Sequence, residues 1–406
     1  MNAYWMDRRV FLTSTGTIGL ARLATPLTAR SADVSDASRV VLGKDKRLIV
    51  HTPGVAVLET PPGLLDGHIT PLDVLFVRNN QQPSGTATLN PMPLQGWSIE
   101  LNGLLDGART VDAATLTNLD QVEQEMVLQC SGNGRSLFAQ TVKAKGTQWT
   151  RGGMGNIRVA GVRLSTLLDK LQVRVHKSVR FVTAEGADSP DAGKEDFEHS
   201  LPIDDVLQHS LLALTFNGEP IPAIHGGPVR LMTPGYFGTM HVKWLSRLRF
   251  ECGETTNYNQ IPRYRTPRQS IDPGTPIEYT FGNSRASWRM KVKSVVLWPL
   301  PGETIVANKR HTVRGVAFND GAARIDTVLT SIDRGQTWTR ARLEIPKSPY
   351  AWCRWTRPLA LPRGEHQIWT RAVDALGRSQ PINGAVHWNP SGYEWNGVEK
   401  ITIRAT

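Results

Sequence analysis

The segment VLQCSGNGRSLF, residues 127–138, runs an apolar, β-prone stretch into a turn of small residues, with Cys130 at the junction and Arg135 just beyond it. Taken alone, a cysteine after such a run is more often a small buried hydrophobe than a reactive group. Its setting argues for more. Gly132 and Gly134 let the backbone turn tightly and bring amides near a ligand, Asn133 tolerates the left-handed region, and Arg135 puts a fixed positive charge close to the sulfur. Such a field favours the thiolate, the form that attacks substrates or ligates a metal. None of the ten histidines lies in this segment to act as a base, so a single soft ligand to a metal carried by an organic cofactor fits better than a nucleophile.

The compartment bears on any thiol. Arg8 and Arg9 stand directly before Val10-Phe11-Leu12 and a weakly apolar run, the pattern of a twin-arginine export signal ending near Ala32. Arg22 interrupts that run, which is too short and polar to span a bilayer, and no other segment offers enough uninterrupted apolar residues. The expectation is a periplasmic protein exported already folded, a route that suits a cofactor inserted beforehand. Cys130, Cys252 and Cys353 are too few for a disulfide framework, although Cys252 and Cys353 are candidates for one pairing in an oxidising compartment. There is no C-x-x-C-H, C-x-x-C or H-E-x-x-H. The formal charge is +11, of which residues 1–32 carry +3. The remaining basic residues are dispersed without a nucleic-acid motif, which disfavours nucleic acid and leaves an anionic substrate or an acidic protein partner.

Three regions are expected: a leader over 1–32, a catalytic domain over 33–272 and a second domain over 273–406. In the first domain, VRLSTLLDKLQV (162–173) spaces its apolar residues on one helical face, PIDDVLQHSLLAL (202–214) opens with proline at a helix start, and RFVTAEG reads as strand and turn. The mixture is α+β, and no G-x-G-x-x-G follows a strand to suggest a nicotinamide enzyme. Residues 262–279, crowded with proline, glycine and arginine, read as an irregular connector. Beyond it WRMKVKSVVLWPL, HTVRGVAF, RIDTVLTSI, QTWTRARLEI, YAWCRWTRPLAL and HQIWTRAVDAL are β-prone runs between turns, as in an immunoglobulin-like sandwich.

LQCSGNGRS, FVRNN (76–80), RGGMGNIRVAGVRL (151–164) and IHGGPVRLMTPGYFGTMHVKWLSRL (224–248) together resemble the sulfite oxidase family of molybdenum enzymes, in the family's order and spacing. From about 275 onward the chain is similar to that family's dimerisation domain. The resemblance implies an α+β molybdopterin-binding domain followed by an all-β immunoglobulin-like dimerisation domain. It implies a molybdenum held by the dithiolene of molybdopterin and by Cys130. An anion pocket of Arg78, Arg135 and Trp149 would surround the metal, and Tyr264 would hydrogen-bond near its oxo group. Asn80, Ser131, His225, Arg230 and Lys243 would bind the cofactor, whose dianionic phosphate suits arginine, lysine and backbone amides.

The pattern departs from the family in three places. Asn80 stands where animal members have histidine, the cysteine loop reads CSGNGR rather than CAGNRR, and a straight count puts Ala323 where the second domain's substrate arginine belongs. Arg324 from a shifted backbone, or Asp320 paired with Arg78, is expected to line the pocket instead. The implied activity is oxidation of sulfite to sulfate, with electrons leaving singly to a separate c-type cytochrome or copper protein (cupredoxin) from a homodimer without a membrane span. The alternatives are a sulfane dehydrogenase acting on carrier-bound sulfur, a reductase of sulfoxide-like groups, and a cofactor-less binding module.

Overall fold

The computed structural model of the chain describes residues 36–188, 195–382 and 386–406; Arg8, Arg9 and the rest of the expected leader lie outside them. Two five-stranded sheets build the first half. One runs in the order Glu219–Pro220, Leu211–Phe216, Met154–Arg163, Val122–Gln129, with Arg230–Met232 also pairing onto Leu211–Phe216. The other runs Arg109–Asp112, Ser98–Gly103, Leu245–Glu251, Phe181–Gly186, Glu198–Pro202, with a parallel pairing between Ser98–Gly103 and Leu245–Glu251. The core between them is aliphatic, from Ile99, Leu101, Leu164, Leu167, Leu201 and Leu248 among others. Among the described residues no helix is long and apolar enough to cross a membrane.

Both expected helices are shorter than the sequence suggests. Val162 belongs to the strand Met154–Arg163, and Leu164–Lys170 forms the helix, burying Leu164, Leu167 and Leu168 at helical spacing. Pro202 does precede a helix, Ile203–His209, with Asp204 and Asp205 in its first turn and His209 in its last, where those charges suit the macrodipole. The following apolar residues are instead the strand Leu211–Phe216, paired on both edges and largely buried. An apolar run in such a strand has no period to separate it from a buried helix.

Past the connector, which contributes the short pairing of Arg265–Pro267 with Ser284–Ala286, the strands form a sandwich. Lys293–Trp298, His311–Phe318, Cys353–Leu359 and Arg342–Glu344 make one sheet. Thr304–Ile305, Glu399–Ala405, Gly364–Asp374, Ile325–Ser331 and Thr339–Arg340 make the other. Trp355, Val296, Val313, Val328, Ile368 and Ile401 fill the space between them. The three cysteines are free; Cys353 is buried, Cys252 is exposed, and the pairing envisaged for them is not formed. Residues Ser35–Thr406 form one compact unit.

Candidate active site

Val122–Gln129 is partly exposed over its first half and buried over its last four residues, so the strand delivers Cys130 to the interior. The Cys130 amide still pairs with Gly153 O at 2.8 Å, and the chain then turns, with Asn133 N donating to Cys130 O at 3.0 Å and Gly132 N pointing at Sγ from 3.4 Å. Asn133 secures the loop from outside, accepting from Gly153 N at 3.1 Å. The neighbouring turn is held by Glu59, fully buried, whose carboxylate accepts from the amides of Thr150, Arg151 and Gly152. Burial works against that charge, but bonds from His51, Thr150 and Gly152 outweigh it and hold the pKa below the usual carboxylate range. The second domain reaches the same loop: Lys293 Nζ donates to Asn133 O at 3.3 Å, and Glu394 N donates to Ser131 O at 2.8 Å.

Cys130 lines a recess that opens to solvent. Part of its wall is a group of buried cations and imidazoles. Lys243 Nζ donates to Asn79 Oδ1 at 2.5 Å and Ile224 O at 2.7 Å; Arg230 donates to His241 O at 2.9 Å and His225 O at 3.0 Å. Behind them Lys44 Nζ lies 2.9 Å from His225 Nε2 and donates to Leu75 O at 2.6 Å. Among the described residues none of these three cations has an ion pair. Burial therefore pushes Lys44 and Lys243 well below the ordinary lysine value and Arg230 down to about 9. Burial likewise keeps His225 and His241 neutral, the latter lowered to about 3. Two buried polar atoms here, Thr239 Oγ1 and His241 Nδ1, have no partner among the described residues. The acid of the wall is Asp188, raised to about 7 chiefly by burial.

Elsewhere on the wall stand Arg78, Asn80 and Tyr264. Asn80 Oδ1 accepts from Arg78 Nη2 at 2.6 Å and from Tyr264 OH at 3.2 Å. Tyr264, in the left-handed region at φ 51°, stacks on Tyr393 with ring centroids 5.2 Å apart, and the Arg135 guanidinium lies over the Tyr393 ring, 5.2 Å from its centroid.

Of the residues expected at the site, Arg78, Asn80, Cys130, His225, Arg230, Lys243 and Tyr264 line the recess. Ser131 lies one residue beyond, its buried hydroxyl without a partner. Arg135 and Trp149 do not line it. Arg135 is spent on the backbone, donating to Ser391 O at 2.6 Å and Thr147 O at 2.7 Å. Trp149 is wholly buried core, edge-on to Phe76 at 5.9 Å. Asp320 is the clearest departure: Arg378, not Arg78, grips both its oxygens, at 2.7 and 3.0 Å. Arg324 faces a different recess beside Cys353, so neither expected substitute for the second-domain arginine reaches the site. Sequence reading missed Lys44, Asp188, Thr239 and His241. His241 and Thr239 sat within a quoted motif, in GTMHVKWL, but Lys44, in GKDK, looks like any surface lysine.

A thiol and a cluster of buried cations open onto one recess beside an arginine–tyrosine wall, a donor set that suits an anionic group. Comparison with known proteins agrees. Residues 87–259 match the family described as oxidoreductase molybdopterin binding domain, and residues 284–405 match the Mo-co oxidoreductase dimerisation domain. Sulfite oxidase of Gallus gallus is 30% identical, over 82% of this chain and 73% of its own. The mitochondrial sulfite oxidase of Homo sapiens is 30% identical over 85% of this chain and 63% of its own, so the chain spans under two thirds of that relative's length. Among solved structures, the sulfane dehydrogenase SoxCD from Paracoccus pantotrophus superposes with a TM-score of 0.72 at 25% identity, covering 94% of this chain and 92% of that one. The chain belongs to the sulfite oxidase family, and its cofactor is a molybdenum-bearing molybdopterin.

The residues present fit that cofactor. Three cations that form no ion pair among the described residues, with the unpartnered Thr239 Oγ1 and His241 Nδ1, form a pocket whose charge a phosphate would neutralise, and a thiol opens onto the same space. Cys130 would hold the metal, and Arg230 and Lys243, backed by Lys44, would hold the phosphate-bearing part.

Proposed function

We propose that this chain is a periplasmic sulfite dehydrogenase, exported folded by the twin-arginine route and working as a homodimer, that passes electrons singly to a c-type cytochrome or cupredoxin. Sulfite and water give sulfate, two protons and two electrons. When bound, the molybdenum centre supplies the oxygen transfer and takes up the electron pair. The chain's own part is electrostatic. Arg78 offers a guanidinium to a sulfur oxyanion, Tyr264 places a hydroxyl beside it, and burial of the Tyr264–Tyr393 stack excludes water on that side. The observation that carries the reading is Arg78 standing on the same wall as Cys130 with no acidic side chain bonded to it among the described residues.

The test is the purified protein matured in a host that makes the cofactor. It should contain molybdenum and reduce a dye or cytochrome c only when sulfite is added; a molybdenum-replete protein inert to sulfite refutes the reading. Arg78→Gln should raise KM for sulfite by roughly ten- to a hundredfold, the worth of one charge-assisted contact. An unchanged kcat/KM would remove Arg78 from substrate binding.

A second reading has support of its own. The likeness to SoxCD extends over nearly the whole chain, Asp320 is tied to Arg378, and among the described residues no second-domain cation lines the recess. A substrate carried as sulfane sulfur on another protein needs less positive charge than free sulfite. Parallel assays with free sulfite and with a persulfide-loaded carrier separate the two.

A further inference from the structure

Among the described residues no second-domain cation lines the recess, but a further guanidinium, that of Arg263, stands directly behind its wall at Asn80. Asn80 Oδ1 accepts from Arg78 Nη2 at 2.6 Å and from Arg263 Nη2 at 3.0 Å. Two positive side chains thus converge on one neutral amide oxygen. Neither arginine has an ion pair among the described residues. The other neighbours of Arg263 are tyrosines and an amide: a side-chain hydrogen bond to Tyr393, Asn259 Oδ1 at 3.4 Å, and the rings of Tyr264 and Tyr258, 5.3 and 5.6 Å from the guanidinium carbon. The acid of the recess, Asp188, interacts favourably with Lys243 and forms no ion pair with Arg78 or Arg263 among the described residues.

A structural role for Arg263 would normally give its charge a carboxylate or a set of backbone carbonyls, as Arg265, two residues on, receives from Glu254 at 2.7 Å. Placing two like charges on one neutral acceptor leaves repulsion that a bound anion relieves. The amide oxygen has the reach and donor set of a single oxygen of a small oxyanion, and Tyr264 OH already addresses it from 3.2 Å.

We infer that Arg263 is a substrate-binding residue, the second cation for a sulfur oxyanion, and that Asn80 Oδ1 marks the place one oxygen of that anion takes. The inference rests on the proposed reading for the identity of the anion, not for its charge. The catalytic domain thereby supplies both guanidiniums through Arg78 and Arg263, and the position counted as Ala323 is free to change. Asn80 swings aside as the anion enters, and its neutrality keeps the pair from being quenched beforehand.

The experiment uses the cofactor-loaded full chain and two readouts: steady-state kinetics with sulfite, and equilibrium binding of sulfate by calorimetry. Arg263→Gln should weaken sulfate binding and raise KM at least tenfold while kcat stays within about threefold. Arg263→Lys, which keeps the charge, should recover a large part of both. Wild-type affinities in Arg263→Gln, with molybdenum content and circular dichroism unaltered, overturn the inference even if sulfite is turned over normally. If the wild type ignores sulfite as a substrate but binds sulfate through Arg263, the inference stands and the proposed substrate falls. A wild type that binds no sulfate overturns it.

Discussion

At the scale of single residues, burial disfavours the charged forms of several groups around the recess, among them Lys44, Lys243, His225 and His241. His199 illustrates the cost away from the cofactor. It is wholly buried, donates from Nδ1 to Gln260 Oε1 at 2.7 Å, leaves Nε2 unpartnered among the described residues, and supports Tyr264 edge-on at 5.3 Å. Burial lowers its pKa from 6.5 to about 4. The unfolded imidazole takes up a proton near pH 6.5 while the folded one does not until about 4, so the unfolded state binds more protons in that window. Stability present above pH 6.5 is therefore lost as pH falls toward 4, by on the order of 3 kcal/mol from this group. His199→Gln should flatten the fall of the urea midpoint across that range; an identical slope would show that His199 contributes nothing to it. Cys130, Arg78 and Tyr264 were legible in the sequence because their motifs are local. The emptiness of Arg78's ion-pair partnership was not, since it depends on Asn80 and Arg263 meeting across 183 residues.

At the scale of elements, the cysteine loop explains one departure from the family pattern. Gly134 sits at φ 92°, and a Cβ there would come within 2.7 Å of Trp395 Cδ1. The side chain that the family places at this position has its space taken by the chain's own C-terminal tail. Gly134→Ala should cost about 1–3 kcal/mol from strain and overlap together, read as a lowered urea midpoint. Wild-type stability would mean that Trp395 does not pack there. The sequence reading erred where periodicity is weakest: Leu211–Phe216 carries a leucine-rich run that fits helix or buried strand equally, and only its pairing with Met154–Arg163 decides. The sandwich strands were plain because turns punctuate them and their residues alternate, as in Glu399–Ala405, where buried and exposed positions take turns. Asp320 was misplaced for the opposite reason. A count along the chain cannot see that Arg378, 58 residues later, holds it.

At the scale of the whole molecule, the two halves share the site's support. Tyr393 stacks under Tyr264, Ser391 O takes Arg135, Lys293 bonds the cysteine loop, and Arg151 pairs with the buried Glu399. Breaking a buried pair of that kind costs about 3–5 kcal/mol, so the halves should not melt apart. Calorimetry of the loaded protein is expected to show one cooperative transition; two well-separated transitions would contradict this coupling. The central claim remains the bond between Cys130 and molybdenum. The molybdenum-edge X-ray absorption spectrum of the loaded protein tests it most directly, compared with that of Cys130→Ser: the variant should lose one sulfur neighbour of the metal. An unchanged number of sulfur neighbours in the variant would contradict the account.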